Sequence, residues 1–150
     1  MVGGLVEGTA MDGRNDGVDD RVAEEDPGPV YEWYRSGMDL LRRGSPAAAL
    51  NVLSRAVQAE PESRSAREAL ARAQFDAGDY AGARANFALL VAANPTDDYA
   101  HFGLGLAARR TGDLEAAIEH LALAAAMRPD LGDYTRALSG ARAARRGAGG

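Results

Sequence analysis

The stretch GDYAGARANFALLVAANP, residues 78–95, decides the fold. It opens on Gly78 and Asp79, places Ala83, Phe87 and Leu90 at spacings of four and three, and stops at Pro95. Those spacings return side chains to one face of a helix, and proline disfavours helix in the residue before it. The segment therefore predicts one helix with a single apolar face. GSPAAALNVLSRAVQAEP at 44–61 and GDLEAAIEHLALAAAMRP at 112–129 repeat the same grammar. Gly44, Gly78 and Gly112 stand 34 residues apart, as do Pro61, Pro95 and Pro129. Ala49, Ala83 and Ala117 follow the glycines by five, Leu53, Phe87 and Leu121 by nine, and Ala56, Leu90 and Ala124 by twelve. A fixed period of this size marks a helical repeat array.

Working outward, the residues between one proline and the next glycine supply a second helix per period. Ser45, Asp79 and Asp113 follow the turn glycines and can accept the free amides of the helix they precede, and Pro46 suits a first helical position. Glu62, Asp97, Asp98 and Asp130 put negative charge where the other helix of each pair begins. Each period thus predicts two antiparallel helices, with repeats at about 30–61, 62–95 and 96–129. Gly37, Ala71 and Gly105 are small where the helices of a pair are expected to cross, opposite Ala49, Ala83 and Ala117. Residues 130–146 predict a capping helix that covers the last pair with Tyr134, Ala137, Leu138 and Ala141 and turns Arg136, Arg142, Arg145 and Arg146 to water. Seven helices result, an all-α array, because a helix pair cannot bury both faces alone and neighbours must stack. Residues 147–150 read as a frayed end.

Composition agrees and removes several functions. Of 150 residues 46% are hydrophobic but only 6% aromatic, and 32 are Ala, the best helix former. There is no Cys, which excludes disulfides, thiol nucleophiles and Cys-ligated zinc. All 17 basic residues are Arg, a pattern expected of a GC-rich genome, so no Schiff-base or P-loop lysine exists. His101 and His120 are the sole imidazoles and read as structural. No cofactor and no metal site are expected. The net charge of −5 argues against nucleic acid as a partner, and the lack of a long apolar run against a membrane. With no secretory signal visible at the start, a cytoplasmic location is expected. Residues 1–28 carry eight acidic groups against Arg14 and Arg21, a net of −6. They are expected to form, with Pro29, an acidic disordered tail over 1–29, because so few apolar groups cannot offset the ordering entropy.

Trp33, Gly37, Leu40, Gly44, Ala49, Leu53, Ala56 and Pro61 resemble the signature of the tetratricopeptide repeat (TPR) family. Leu70, Ala71, Gly78, Asp79, Tyr80, Ala83, Phe87 and Pro95 carry it in the second period. Leu104, Gly105, Gly112, Asp113, Ala117, Leu121, Ala124 and Pro129 carry it in the third. Arg67 and His101 depart from it where the first repeat has Trp33, as do Ser36 and Gln74 at other packing places. The resemblance implies a right-handed TPR superhelix and a non-catalytic scaffold for protein–protein interaction, with a peptide or helical segment of a partner in a concave groove.

Projecting the first helices onto that groove gives Tyr31, Tyr34, Met38, Arg42, Arg72, Phe75, Tyr99, Phe102, Leu106 and Arg109 as outward-facing partner-binding residues. Aromatic groups with Arg are the combination enriched at interface hot spots, and they call for a partner with apolar anchors and acidic groups. In the competing reading Tyr31 and Tyr34 cap the open end of the array and Phe75 packs between repeats. Some TPR domains grip a terminal carboxylate with Lys, Asn and Arg; the matching places here, Tyr34, Met38, Ala69, Tyr99 and Gly103, offer no cation. A self-associating structural protein or an accessory subunit of an enzyme complex is the alternative, as a monomer or weak homo-oligomer. Residues 12–26 are a candidate cover for the arginines of the groove, weighed against a plain solvating tail. Two near-motifs are set aside. Gly103-Leu104-Gly105 has no preceding strand, and Asp12 to Asp20 has Arg14 at a calcium-ligand place and Ala23 where the closing Glu would stand.

Overall fold

The computed structural model describes residues 28–149. The acidic segment up to Pro27, including Asp12 to Asp20, lies outside them, as does Gly150. Seven helices and no strand occupy the described residues: α1 (Gly28–Arg42), α2 (Pro46–Ala59), α3 (Arg64–Asp76), α4 (Tyr80–Ala93), α5 (Asp98–Arg110), α6 (Leu114–Met127) and α7 (Gly132–Gly149). The helix expected from Val30 begins at Gly28, and the last continues past Arg146, where a frayed end was expected.

The 34-residue period originates in the turns. At Gly44, Gly78 and Gly112 the backbone takes φ of +77°, +91° and +90°, a left-handed conformation that glycine adopts without steric cost. In each case the following amide reaches back to close the helix: Ser45 N donates to Leu40 O at 2.8 Å, Asp79 N to Gln74 O at 2.7 Å and Asp113 N to Ala108 O at 2.9 Å. The caps are partly those expected. Asp113 Oδ1 accepts from Ala116 N at 3.1 Å, but Ser45 makes no side-chain cap bond and leaves the start of α2 to Pro46. At the other helix of each pair Ser63 and Asp97 cap, accepting from Ala66 N at 3.2 Å and Ala100 N at 3.1 Å. Asp97 is thus a cap and not a residue of the first turn.

The chain divides after Asp79 into two compact units. In the first, α1 packs on α2 and α2 on α3. Tyr34, Met38, Leu41, Ala49, Leu53, Ala69, Leu70 and Ala73 form its core. Gly37 sets the α1–α2 approach, since a Cβ there would lie 2.4 Å from the Leu53 side chain. Leu53, not the expected Ala49, is the residue it accommodates.

In the second unit α4 packs on α5, α5 on α6, and α6 on α7. Here α5 is held from two sides: a Cβ at Gly103 would meet the Phe87 ring at 2.4 Å, and one at Gly105 would meet Leu121 at 2.6 Å. Nine of the thirteen α5 residues are buried. Aromatic contacts continue through this core, with Phe87 edge-on to Tyr99 at 5.9 Å, Tyr99 against Phe102 at 6.1 Å and Phe102 against Tyr134 at 4.6 Å between ring centres. Buried aromatic rings of this size each contribute about 1.5–3 kcal/mol through burial.

Candidate partner-binding surface

The ten residues expected on an outward surface are not placed alike. Arg42 and Arg109 are exposed, and Tyr31 and Leu106 are half-buried. Tyr34, Met38, Arg72, Phe75, Tyr99 and Phe102 are buried, between 1% and 8% exposed. Their expected outward-facing placement is corrected by these values. The cause is the width of the buried stripe: helices with neighbours on both sides bury more than one face, so places that point away from the paired helix are still covered.

Within the first unit, Tyr31 and Tyr34 lie with ring centres 6.5 Å apart, and the Arg35 guanidinium sits over the Tyr31 ring at 5.9 Å. Exposed Arg42 lies 3.8 Å from Asp39, a solvent-screened pair of small energetic weight. Arg72 Nη1 donates to Met38 Sδ at 3.7 Å.

In the second unit the fixed polar contacts are structural. Tyr134 Oη donates to Asp98 Oδ2 at 2.6 Å and ties α7 to α5. Arg84 on α4 donates to Asp113 Oδ2 at 2.7 Å and Thr111 Oγ1 at 2.9 Å. The hydrogen bond from Arg84, then that from the Ala116 amide, holds the Asp113 carboxyl below the usual aspartate range. Arg128, donating to Asp130 at 2.8 Å, lowers that carboxyl likewise.

The two residues that depart from the Trp33 pattern share one task that sequence reasoning missed. Arg67 Nη2 donates to Pro61 O at 2.9 Å, and His101 Nε2 lies 2.8 Å from Pro95 O. Each ties its helix to the carbonyl of the proline that closes the preceding repeat. The signal was available, since both are hydrogen-bond donors at the same period position, six residues after a repeat-closing proline.

A carbonyl only accepts, so His101 carries its proton on Nε2 and leaves Nδ1 as an acceptor. His120 Nδ1 lies 3.0 Å from it and therefore donates. The ring centres are 5.2 Å apart with planes 24° from parallel, wider than the nitrogens by two ring radii. The rings meet edge to edge, joined by one N–H···N bond between α5 and α6. Burial pushes the His120 imidazole below its ordinary value, with His101 and Arg84 acting in the same direction and Glu119 opposing them. The Nδ1 lone pair of His101 is taken up by that bond. Among the described residues no group of three or more His, Cys, Asp or Glu is arranged to hold a metal.

The family profile described as tetratricopeptide repeat matches residues 34–98 and again 69–131. No curated protein matches the chain. Among solved structures, the first TPR domain of Spaghetti (RPAP3), bound to the HSP90 peptide SRMEEVD, superposes with a TM-score of 0.73 at 20% identity. That match covers 79% of this chain and 94% of the other. The Sgt2 TPR domain of Aspergillus fumigatus gives 0.73 at 18% identity, covering 81% and 82%. A thermophilic TPR protein of Thermus thermophilus gives 0.66 at 26% identity, covering 76% and 64%. With both profile matches lying on the 34-residue period, and seven helices joined by the turns that generate it, the chain belongs to the tetratricopeptide repeat family.

Proposed function

We propose that the chain is a non-catalytic scaffold that binds a peptide or helical segment of a partner protein on the accessible faces of its repeat helices. The observation that carries this reading is an apolar group on the same helix as an exposed arginine, Tyr31 with Arg42 on α1 and Leu106 with Arg109 on α5. Half-buried Tyr31 and Leu106 offer apolar contact, while exposed Arg42 and Arg109 offer charge. Aromatic and apolar anchors beside Arg are what interface hot spots use. The fold shared with a TPR domain that is bound to a peptide supports the same reading. The partner is a protein segment with apolar anchors and acidic groups, and the binding is read as cytoplasmic. No helix among the described residues is long and apolar enough to cross a membrane.

The buried aromatics are unsuitable probes, because truncating Tyr34 or Phe102 disturbs the core. A Tyr31→Ala/Leu106→Ala/Arg109→Ala variant removes accessible groups instead. Affinity capture from native lysate with wild type and this variant, at matched melting temperature, is expected to lose the specific partner in the variant. Equal retention overturns the assignment.

A further inference from the structure

The third repeat shows which places of a first helix face the repeat before it. A Cβ at Gly103 would meet the Phe87 ring at 2.4 Å, and the Tyr99 ring stands edge-on to the same ring at 5.9 Å. One period earlier Ala69 and Leu53 hold the places of Gly103 and Phe87, and both lie in the core of the first unit. One period earlier again, the same two places hold Arg35 and Asp19. A small residue facing a large apolar one thus becomes a cation facing an anion.

Arg35 is exposed, with its guanidinium over the Tyr31 ring at 5.9 Å, and Asp39 one turn on is engaged by Arg42 and Arg43. A leucine or phenylalanine seated on Arg35, as on Ala69 and Gly103, would strip water from a charge at high cost. An ordinary repeat helix therefore does not suit the start of α1. Yet the ends of a repeat array need a polar cover. In the second unit α7 packs on α6 and buries Tyr134, Leu138 and Ala141. At α1, Tyr31 and Trp33 are half-buried.

The chain supplies an occupant of matching charge. The residues before α1 carry a net of −6, and Pro27 continues the series of Pro61, Pro95 and Pro129 at the same 34-residue spacing. Residues 12–26 therefore stand before Pro27 as α2 stands before Pro61 and α4 before Pro95. Gly28 takes φ of +78°, a left-handed turn at the entry to α1 that allows the chain to double back.

We infer that residues 12–26 dock on the starting end of α1 as a polar cap, with Asp19 paired to Arg35 and Val22, at the place of buried Ala56 and Leu90, turned inward beside Trp33. The occupant is this chain's own segment, held by charge and therefore sensitive to salt. The cap stands whether or not the partner-binding reading holds.

Trp33 is the sole tryptophan, so its accessibility reports on the cap in the full chain. Acrylamide quenching of its fluorescence is compared in wild type, Asp19→Arg, Arg35→Asp and the Asp19→Arg/Arg35→Asp swap, at low and high salt. Each single reversal is expected to lower the docking equilibrium about fivefold and raise quenching, and the swap to restore protection. High salt is expected to bring wild type to the level of the single variants. Arg35→Gln, which removes the charge without reversing it, is expected to fall between them. Equal quenching in all these proteins, or a swap as open as the single variants, overturns the cap. Protection of Trp33 that grows with protein concentration gives the place to a second copy and overturns it as well.

Discussion

From Tyr80 onward several polar side chains are joined to one another across helices: Tyr134 to Asp98, Arg84 to Asp113, and His101 to His120. Up to Asp79 the buried Arg72 guanidinium donates to the Met38 thioether. The glycines differ in parallel. α1 makes one close approach, at Gly37 on Leu53, while α5 makes two, at Gly103 on the rigid Phe87 ring and Gly105 on Leu121. The same repeat grammar therefore yields one unit with a single close glycine approach and another in which α5 is gripped from both sides.

The contrast is most open to attack at Phe87. Phe87→Ala is expected to destabilise the protein by about 4 kcal/mol, because a ring that is wholly buried leaves a cavity against Gly103. Denaturant unfolding checks it, and a loss no greater than a surface substitution would mean that the second unit is not tightly packed there. Gly103→Ala should cost about 2 kcal/mol by overpacking, whereas Gly37→Ala costs less, since the branched end of Leu53 can rotate and a ring cannot. Combining Gly103→Ala with Phe87→Leu should recover part of the loss, and a double-mutant cycle with strictly additive effects would break the link between these two residues.

Tyr134→Phe removes one bond to Asp98 and should lower stability by about 1 kcal/mol, measured by the same unfolding. The smallest effect is the pH response of the histidine pair. The folded-state value of His120 lies below its ordinary 6.5, so the unfolded chain binds the extra proton more readily. The stability it contributes is present above that ordinary value and is lost as pH falls through the folded one. The melting temperature should accordingly fall slightly more between pH 7 and pH 5 in wild type than in His120→Gln. An identical slope in the two proteins would remove the pair from the balance. The lowered carboxyls of Asp113 and Asp130 act in a separate window, below the ordinary aspartate value of 3.8.

Turns and helices were readable because their causes are local. A left-handed glycine, a proline stop and apolar spacings of three and four need only the neighbouring residues to act. The same locality explains why capping was read imperfectly: Ser45, Ser63 and Asp97 all have suitable oxygens, and which of them bonds depends on backbone angles at the helix start. The candidate site was less readable. Tyr34, Phe75, Tyr99 and Phe102 were assigned outward from a single-helix projection, which contains no information about what packs on the second side of a helix. Arg67 and His101 read as defects in a repeat, whereas the folded chain uses both as donors to a preceding proline carbonyl.

The sequence by itself determined the period, the helix count and the close approach at Gly37, since local conformational preference and side-chain size carry those directly. Only the tertiary structure decided that Arg72 is sealed from water against Met38 and that two histidines 19 residues apart share a proton-bearing bond. Those facts depend on which groups distant in sequence are brought within a few ångströms, where desolvation sets the energy of every charge.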